Sequence, residues 1–169
     1  MARLTEVSRN ALLVEGHAGH ARHLAEQPND LGADVKLIIE RGAAISAHDY
    51  VNYQLERNRF RLALEELFDG VDILLTPSTP LTAFPIGTKN VRLGPAEEDA
   101  RTAATRFTRC FNATGHPALN VCCGFDSAGL PIGLQLVGRM WDEASVLLAG
   151  YAYEQATDWH TRRPSVIPV

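Results

Sequence analysis

The sequence predicts an α/β fold, and three observations carry that expectation. An amphipathic helix that opens at Ser46 and stops at Gly70 feeds directly into a short apolar run, residues 71–75. Behind it, Pro77 and Pro80 of TPSTP impose a rigid loop without regular structure. Further on, two strand-like stretches, 118–122 and 132–137, stand between amphipathic helices. Helix, buried strand and rigid loop in succession is the pattern of a sheet covered by helices. A chain of 169 residues is long enough for one core, so a single domain over residues 1–169 is expected.

Taken in order, residues 10–26 place Val14, Ala18, Ala21 and Ala25 on one stripe of small side chains, the pattern of a closely packed helix, and Pro28, Asn29 and Gly32 end it. Ser46 and Asp49 have the spacing of a capping box. In the helix they open, Phe60, Leu64, Leu67 and Phe68 form the expected core face, and Glu56, Arg57, Arg59 and Arg61 the wet one. The loop after the apolar run is expected to continue through Pro85 and Gly87 to about Pro95. From Thr102, Ala103, Phe107, Cys110, Phe111 and Thr114 recur as one helical stripe that Gly115 and Pro117 close. Two strands joined through Asp126, Ser127 and Gly129 follow. Asp142 can cap a last helix in which Ala144, Leu147, Leu148, Tyr151 and Ala152 repeat, and the tail RRPSVIPV reads as a surface terminus.

Composition narrows the function. The net charge is -4, with 16 basic and 20 acidic side chains interspersed, so no basic footprint for nucleic acid exists. No apolar run reaches the ~20 residues of a membrane span, and the first residues lack the apolar core of a signal peptide. The expectation is a soluble, cytoplasmic chain with neither nucleic acid nor membrane as partner. Cys110, Cys122 and Cys123 form no C-x-x-C pair and read as small buried apolar residues. A cysteine nucleophile would want a histidine, and His116 is near in sequence, which is proximity alone. His17, His20 and His23 spread ~120° around a helix without the i, i+4 pair usual for metal ligation.

Motifs for phosphate cradles, dinucleotides, zinc hydrolases and nucleophile elbows are missing, so no cofactor and no metal are expected. The six serines lie outside any glycine-rich context, and the two lysines, Lys36 and Lys89, stand in settings that do not announce a lowered pKa.

Four stretches carry a resemblance: DVKLIIERGAAISAHDYVNYQLERNRF, DILLTPSTP, FNATGHPALNV and GLPIGLQLVGRMWDE. Their order and spacing resemble the C-terminal part of amidase signature enzymes, over about residues 10–165. The resemblance implies an α/β/α sandwich around a mixed central sheet and hydrolysis of amide C–N bonds. It also implies a serine nucleophile, a second serine with a cis peptide, and a lysine base. In the family those three residues lie upstream, in motifs that these 169 residues do not contain, so no catalytic residue is assigned. The same resemblance places Thr108, Phe111 and Trp141 around the substrate pocket.

Departures from the family pattern accompany it. PALNVCCG puts Asn120 and Cys122 where a serine and a proline are usual. Ile38 and Thr105 match the positions of an arginine and an aspartate that bind glutamine in the amidotransferase branch acting on misacylated tRNA, which disfavours that branch. The expected activity is that of part of an amidase acting on a small-molecule amide, inactive alone and dependent on a complementing N-terminal segment or a homo-oligomer. The alternative is a non-catalytic remnant serving as a binding or assembly module.

Overall fold

The computed structural model describes residues 2–163, which fall into two compact units divided between Leu64 and Glu65. The last residues of the expected surface tail, 164–169, lie outside the described ones.

The first unit is helical: α1 (Ala2–Glu26), α2 (Ala33–Gly42) and most of α3 (Ala47–Glu66). Gly42 explains how α2 approaches α1. A Cβ there would stand 2.7 Å from the Cβ of His17 and would overlap the Leu13 carbonyl. The small-residue stripe expected on α1 continues a face that is buried only in the first half of the helix: Leu4, Val7 and Ala11 are buried, Val14 is half-buried, and Ala18, Ala21 and Ala25 are exposed. Leu4 and Val7, the larger side chains at the start of that stripe, remove more apolar area from water than the alanines at its end. Helix α2 is an element for which the sequence offered no separate expectation.

Helix α3 opens as expected, with Ser46 Oγ accepting from the Asp49 N–H at 3.1 Å and donating to the Asp49 carboxylate at 2.7 Å. Its charged residues are not all on a wet side. Glu56 accepts from Nε and Nη2 of Arg3 with its two oxygens, and Glu15 gathers the Tyr50 hydroxyl, the Gln54 amide and Arg57 at 3.2, 2.8 and 3.4 Å. The expected core face holds only at its end: Phe68 is fully buried, Phe60 and Leu64 are half-buried, and Leu67 is exposed. The helix stops at Glu66 and tightens into a 3-10 turn, Leu67–Asp69, which rotates Phe68 inward and Leu67 out.

The second unit holds a three-stranded sheet in the order β1 (Leu74–Pro77), β5 (Pro131–Val137), β4 (Ala118–Phe125). Both flanking strands run antiparallel to β5 and so point the same way as each other. The fold is α/β, as the sequence predicts. Strand β1 starts three residues later than expected and runs through Pro77, which lies on an edge strand where a missing N–H costs no ladder bond. The ladder continues one step further, with the Ser78 N–H donating to the Gly133 carbonyl at 3.0 Å.

A hairpin, β2 (Asn90–Leu93) with β3 (Ala96–Asp99), stands where an irregular loop was expected; its turn is Gly94-Pro95, with Gly94 at φ 61°. The expected helix from Thr102 is two: α4 (Ala100–Ala104), capped by Asp99 at 2.8 Å, and α5 (Thr108–Thr114). The break follows Thr105, whose N–H still donates to the Arg101 carbonyl at 3.3 Å, while the next N–H, of Arg106, turns to the Ala103 carbonyl at 3.1 Å in a tighter i→i−3 bond. The stripe survives the break, since Ala103, Phe111 and Thr114 are buried.

Asp142 caps α6 (Glu143–Ala156), accepting from the Ser145 N–H at 3.2 Å. Its apolar stripe is reversed from expectation. Val146 packs with Val121 and Leu136 of the sheet, joined by Ala149 and Tyr153, while Ala144, Leu147, Leu148, Tyr151 and Ala152 all face outward. Gly150 sets the helix–sheet distance, because a Cβ there would overlap Leu119. A helix apolar on both sides is one that larger proteins bury all round.

Candidate functional site

The site is built where α5 ends and β5 leaves the sheet. Thr108 opens α5 half-buried, its hydroxyl directed to the Thr105 carbonyl at 3.4 Å, and Phe111 lies one turn on, buried. The helix closes on Gly115 in the left-handed region, φ 83°. A Cβ at Gly115 would stand 3.7 Å from the Met140 methyl, so the end of α5 borders the segment that leads into Trp141.

Trp141 is 85% exposed and adopts φ 65°. A bulky residue in the left-handed region is strained by about 1–3 kcal/mol and persists only where its surroundings over-determine it. Those surroundings are on both sides. Asp142 is fixed as the cap of α6, and Met140 donates its N–H to Glu65 Oε1 at 3.0 Å. The same oxygen stands 3.0 Å from Nε2 of His116, whose Nδ1 is 2.9 Å from the Thr114 hydroxyl. The buried His116 ring stacks on Phe68 with the ring centres 5.8 Å apart. Arg139 joins the group, its guanidinium carbon 5.7 Å from the centre of the Phe68 ring and its N–H donating to the Phe68 carbonyl. His116 is thereby part of a structural frame, and burial pushes the Cys110 thiol up, away from the thiolate a nucleophile needs.

One face of the sheet is polar, a feature that sequence reasoning touched only in noting Asn120. Thr76, Gln135 and Asn120 are in register across β1, β5 and β4. Gln135 donates to Thr76 at 3.0 Å, and the buried Ser78 hydroxyl donates to the Asn120 side-chain oxygen. Gly133 makes room for that contact, since a Cβ there would stand 2.5 Å from Asn120 Oδ1 and 2.8 Å from Ser78 Oγ. Cys122 and Cys123 bond locally, to the Gly124 and Ile132 carbonyls at 3.4 and 3.5 Å.

His17, His20 and His23 all lie on α1, and among the described residues no group of three possible ligands could hold a metal ion. No helix among them is long and apolar enough to cross a membrane.

Comparisons with known proteins agree with this architecture. A family model described as Amidase matches residues 7–147. An amidase of Pseudomonas putida is 37% identical over 167 residues, which is 98% of this chain and 35% of that protein. A glutamyl-tRNA(Gln) amidotransferase component from Chloroflexus aggregans is 44% identical over 141 residues, 80% of this chain and 28% of that one. A crystal structure of amidase superposes with a TM-score of 0.85 at 32% identity, covering 90% of this chain and 35% of its own. The chain thus spans about a third of the length of the relatives it matches. Across that third, sequence and fold place the chain in the Amidase family.

Proposed function

We propose that this chain supplies the C-terminal, substrate-side part of an enzyme that hydrolyses amide C–N bonds of a small molecule. Both compact units belong to one larger domain in this reading. The serine pair and lysine come from polypeptide outside these 169 residues, either a complementing segment or a partner in an oligomer, and the assembly works in the cytoplasm. The observation that carries the reading is coverage: 98% of the chain aligns with about a third of an amidase.

Thr108, Phe111 and Trp141 are the substrate-side residues in this proposal. Support comes from the strained Trp141, held by a frame far more elaborate than an exposed loop needs, beside the end of the helix bearing the other two. The outward stripe of α6 supports the need for more chain, because Leu147, Leu148 and Tyr151 leave a contiguous apolar surface open. Identity to the amidotransferases is as high as to amidases, so overall identity does not choose a branch. Ile38 and Thr105 favour the general amidase, having no charge with which to hold glutamine.

The test is ammonia release from a panel of aliphatic and aromatic amides by the purified chain. No turnover is expected. Turnover abolished by replacing one of its own serines or cysteines would overturn the reading, because the chain would then hold its own nucleophile.

A further inference from the structure

The β4–β5 turn and the 3-10 turn Trp159–Thr161 enclose a cavity of about 710 Å³ lined by Cys122, Phe125, Pro131, Trp159, Arg162 and Arg163, among others. That volume lies within the ~300–1,000 Å³ range of small-molecule sites. Its walls are apolar and aromatic, yet among the described residues its charges are all of one sign. Two arginines line it together with His160, and no described carboxylate does. Among the described residues neither guanidinium pairs with an acid, although the chain carries more acidic than basic side chains.

The placing of Arg162 is specific. Its guanidinium carbon lies 4.9 Å from the centre of the Phe125 ring and 4.9 Å from that of Trp159, whose planes are tilted by 52°. These cation–π contacts use no hydrogen-bond acceptor, so the N–H groups of Arg162 stay available as a fork that matches a carboxylate. Arg163 is anchored beside it, donating to the His160 and Arg162 carbonyls at 2.6 and 3.1 Å through one nitrogen, with its other nitrogens available. The rings also hold Arg162 in place before a ligand arrives, which lowers the entropy lost on binding.

We propose that this cavity binds a small organic carboxylate with a flat apolar body, the carboxylate on the Arg162 fork and the body against the aromatic and proline walls. Charge alone would serve any anion, and the apolar walls alone any ring. The combination selects a molecule having both.

Calorimetric titration of the full chain with benzoate, its neutral isostere benzamide, and inorganic phosphate tests this. Benzoate is expected to bind at least tenfold tighter than either of the others. Arg162→Gln is expected to weaken benzoate at least tenfold without changing benzamide, and Arg162→Lys to restore part of the loss, since charge returns without the fork. In a Trp141→Phe chain, whose remaining tryptophan is Trp159, benzoate is expected to change the fluorescence in a saturable way. Should Arg162→Gln fail to fold, the fluorescence contrast between benzoate and benzamide decides alone. Equal binding of benzamide would reduce the cavity to an apolar crevice. Phosphate binding as tightly as benzoate would reduce it to a bare anion site, and benzoate heat without a Trp159 response would put binding elsewhere. Each of these results overturns the proposal.

Discussion

Glu65 Oε1 stands 3.0 Å from Nε2 of the buried His116 while accepting the Met140 N–H at the same distance. One carboxylate thus ties the end of α3 to both segments that border Trp141. Replacing Glu65 by alanine leaves the Met140 N–H without its partner and is expected to cost about 1–3 kcal/mol. Glutamine keeps an acceptor at that position and is expected to cost less. Urea unfolding of the two variants checks this, and equal losses would show that the side chain acts through packing alone.

Gly133 is held by its neighbours. A methyl group there meets Asn120 Oδ1 and Ser78 Oγ at sub-van der Waals distances, so Gly133→Ala is expected to destabilise by about 1–3 kcal/mol. Removing the Asn120 amide relieves one of the two conflicts. The double variant Asn120→Ala, Gly133→Ala is therefore expected to recover part of the loss in denaturant unfolding, and strictly additive losses would contradict the geometry.

Where local chemistry decides, the fold was legible. The Ser46 and Asp142 caps, the left-handed Gly115 and the Asp126 turn each stand as their residue types dictate. Facing was harder to read. The α6 repeat of Leu147, Leu148 and Tyr151 is a sound helical stripe, but Val146 and Gly150 contact the sheet, because a helix apolar on two sides has no single moment to reveal its inner face. The hairpin β2–β3 escaped because its strands, NVRL and AEED, carry little apolar alternation. The frame around His116 was invisible for another reason: Glu65, His116 and Met140 are far apart in sequence, and only the tertiary fold joins them.

The two faces of α6 should answer differently to mutation. Leu147→Glu with Leu148→Lys changes exposed side chains and is expected to alter stability by no more than about 0.5 kcal/mol. Val146→Ala empties a buried position and is expected to cost about 1–3 kcal/mol. Sedimentation adds the functional half. If the outward stripe is the surface that meets more polypeptide, the charged pair reduces self-association, whereas Val146→Ala does not.

Asp126 gives the chain an acid limb. Its carboxylate accepts the Thr82 hydroxyl at 2.7 Å and the Ala128 and Leu130 N–H groups at 2.9 Å each. The Thr82 bond, followed by the Leu130 N–H, holds this carboxyl below the usual aspartate range, since both donate to the charged form. A carboxyl depressed by folding contributes stability that is complete above its unfolded pKa, ~3.9, and is lost as pH falls through the lower folded value. Asp126→Asn is therefore expected to be less stable than the parent at neutral pH, with the gap narrowing below about pH 4. Thr82→Val, which removes the largest cause of the shift, is expected to narrow the same gap from the other side, raising the pH at which the contribution of Asp126 disappears in that variant. Urea midpoints from neutral to about pH 2.5 follow both, and a gap that stays constant through that range would mean the Asp126 network acts on shape and not through its charge.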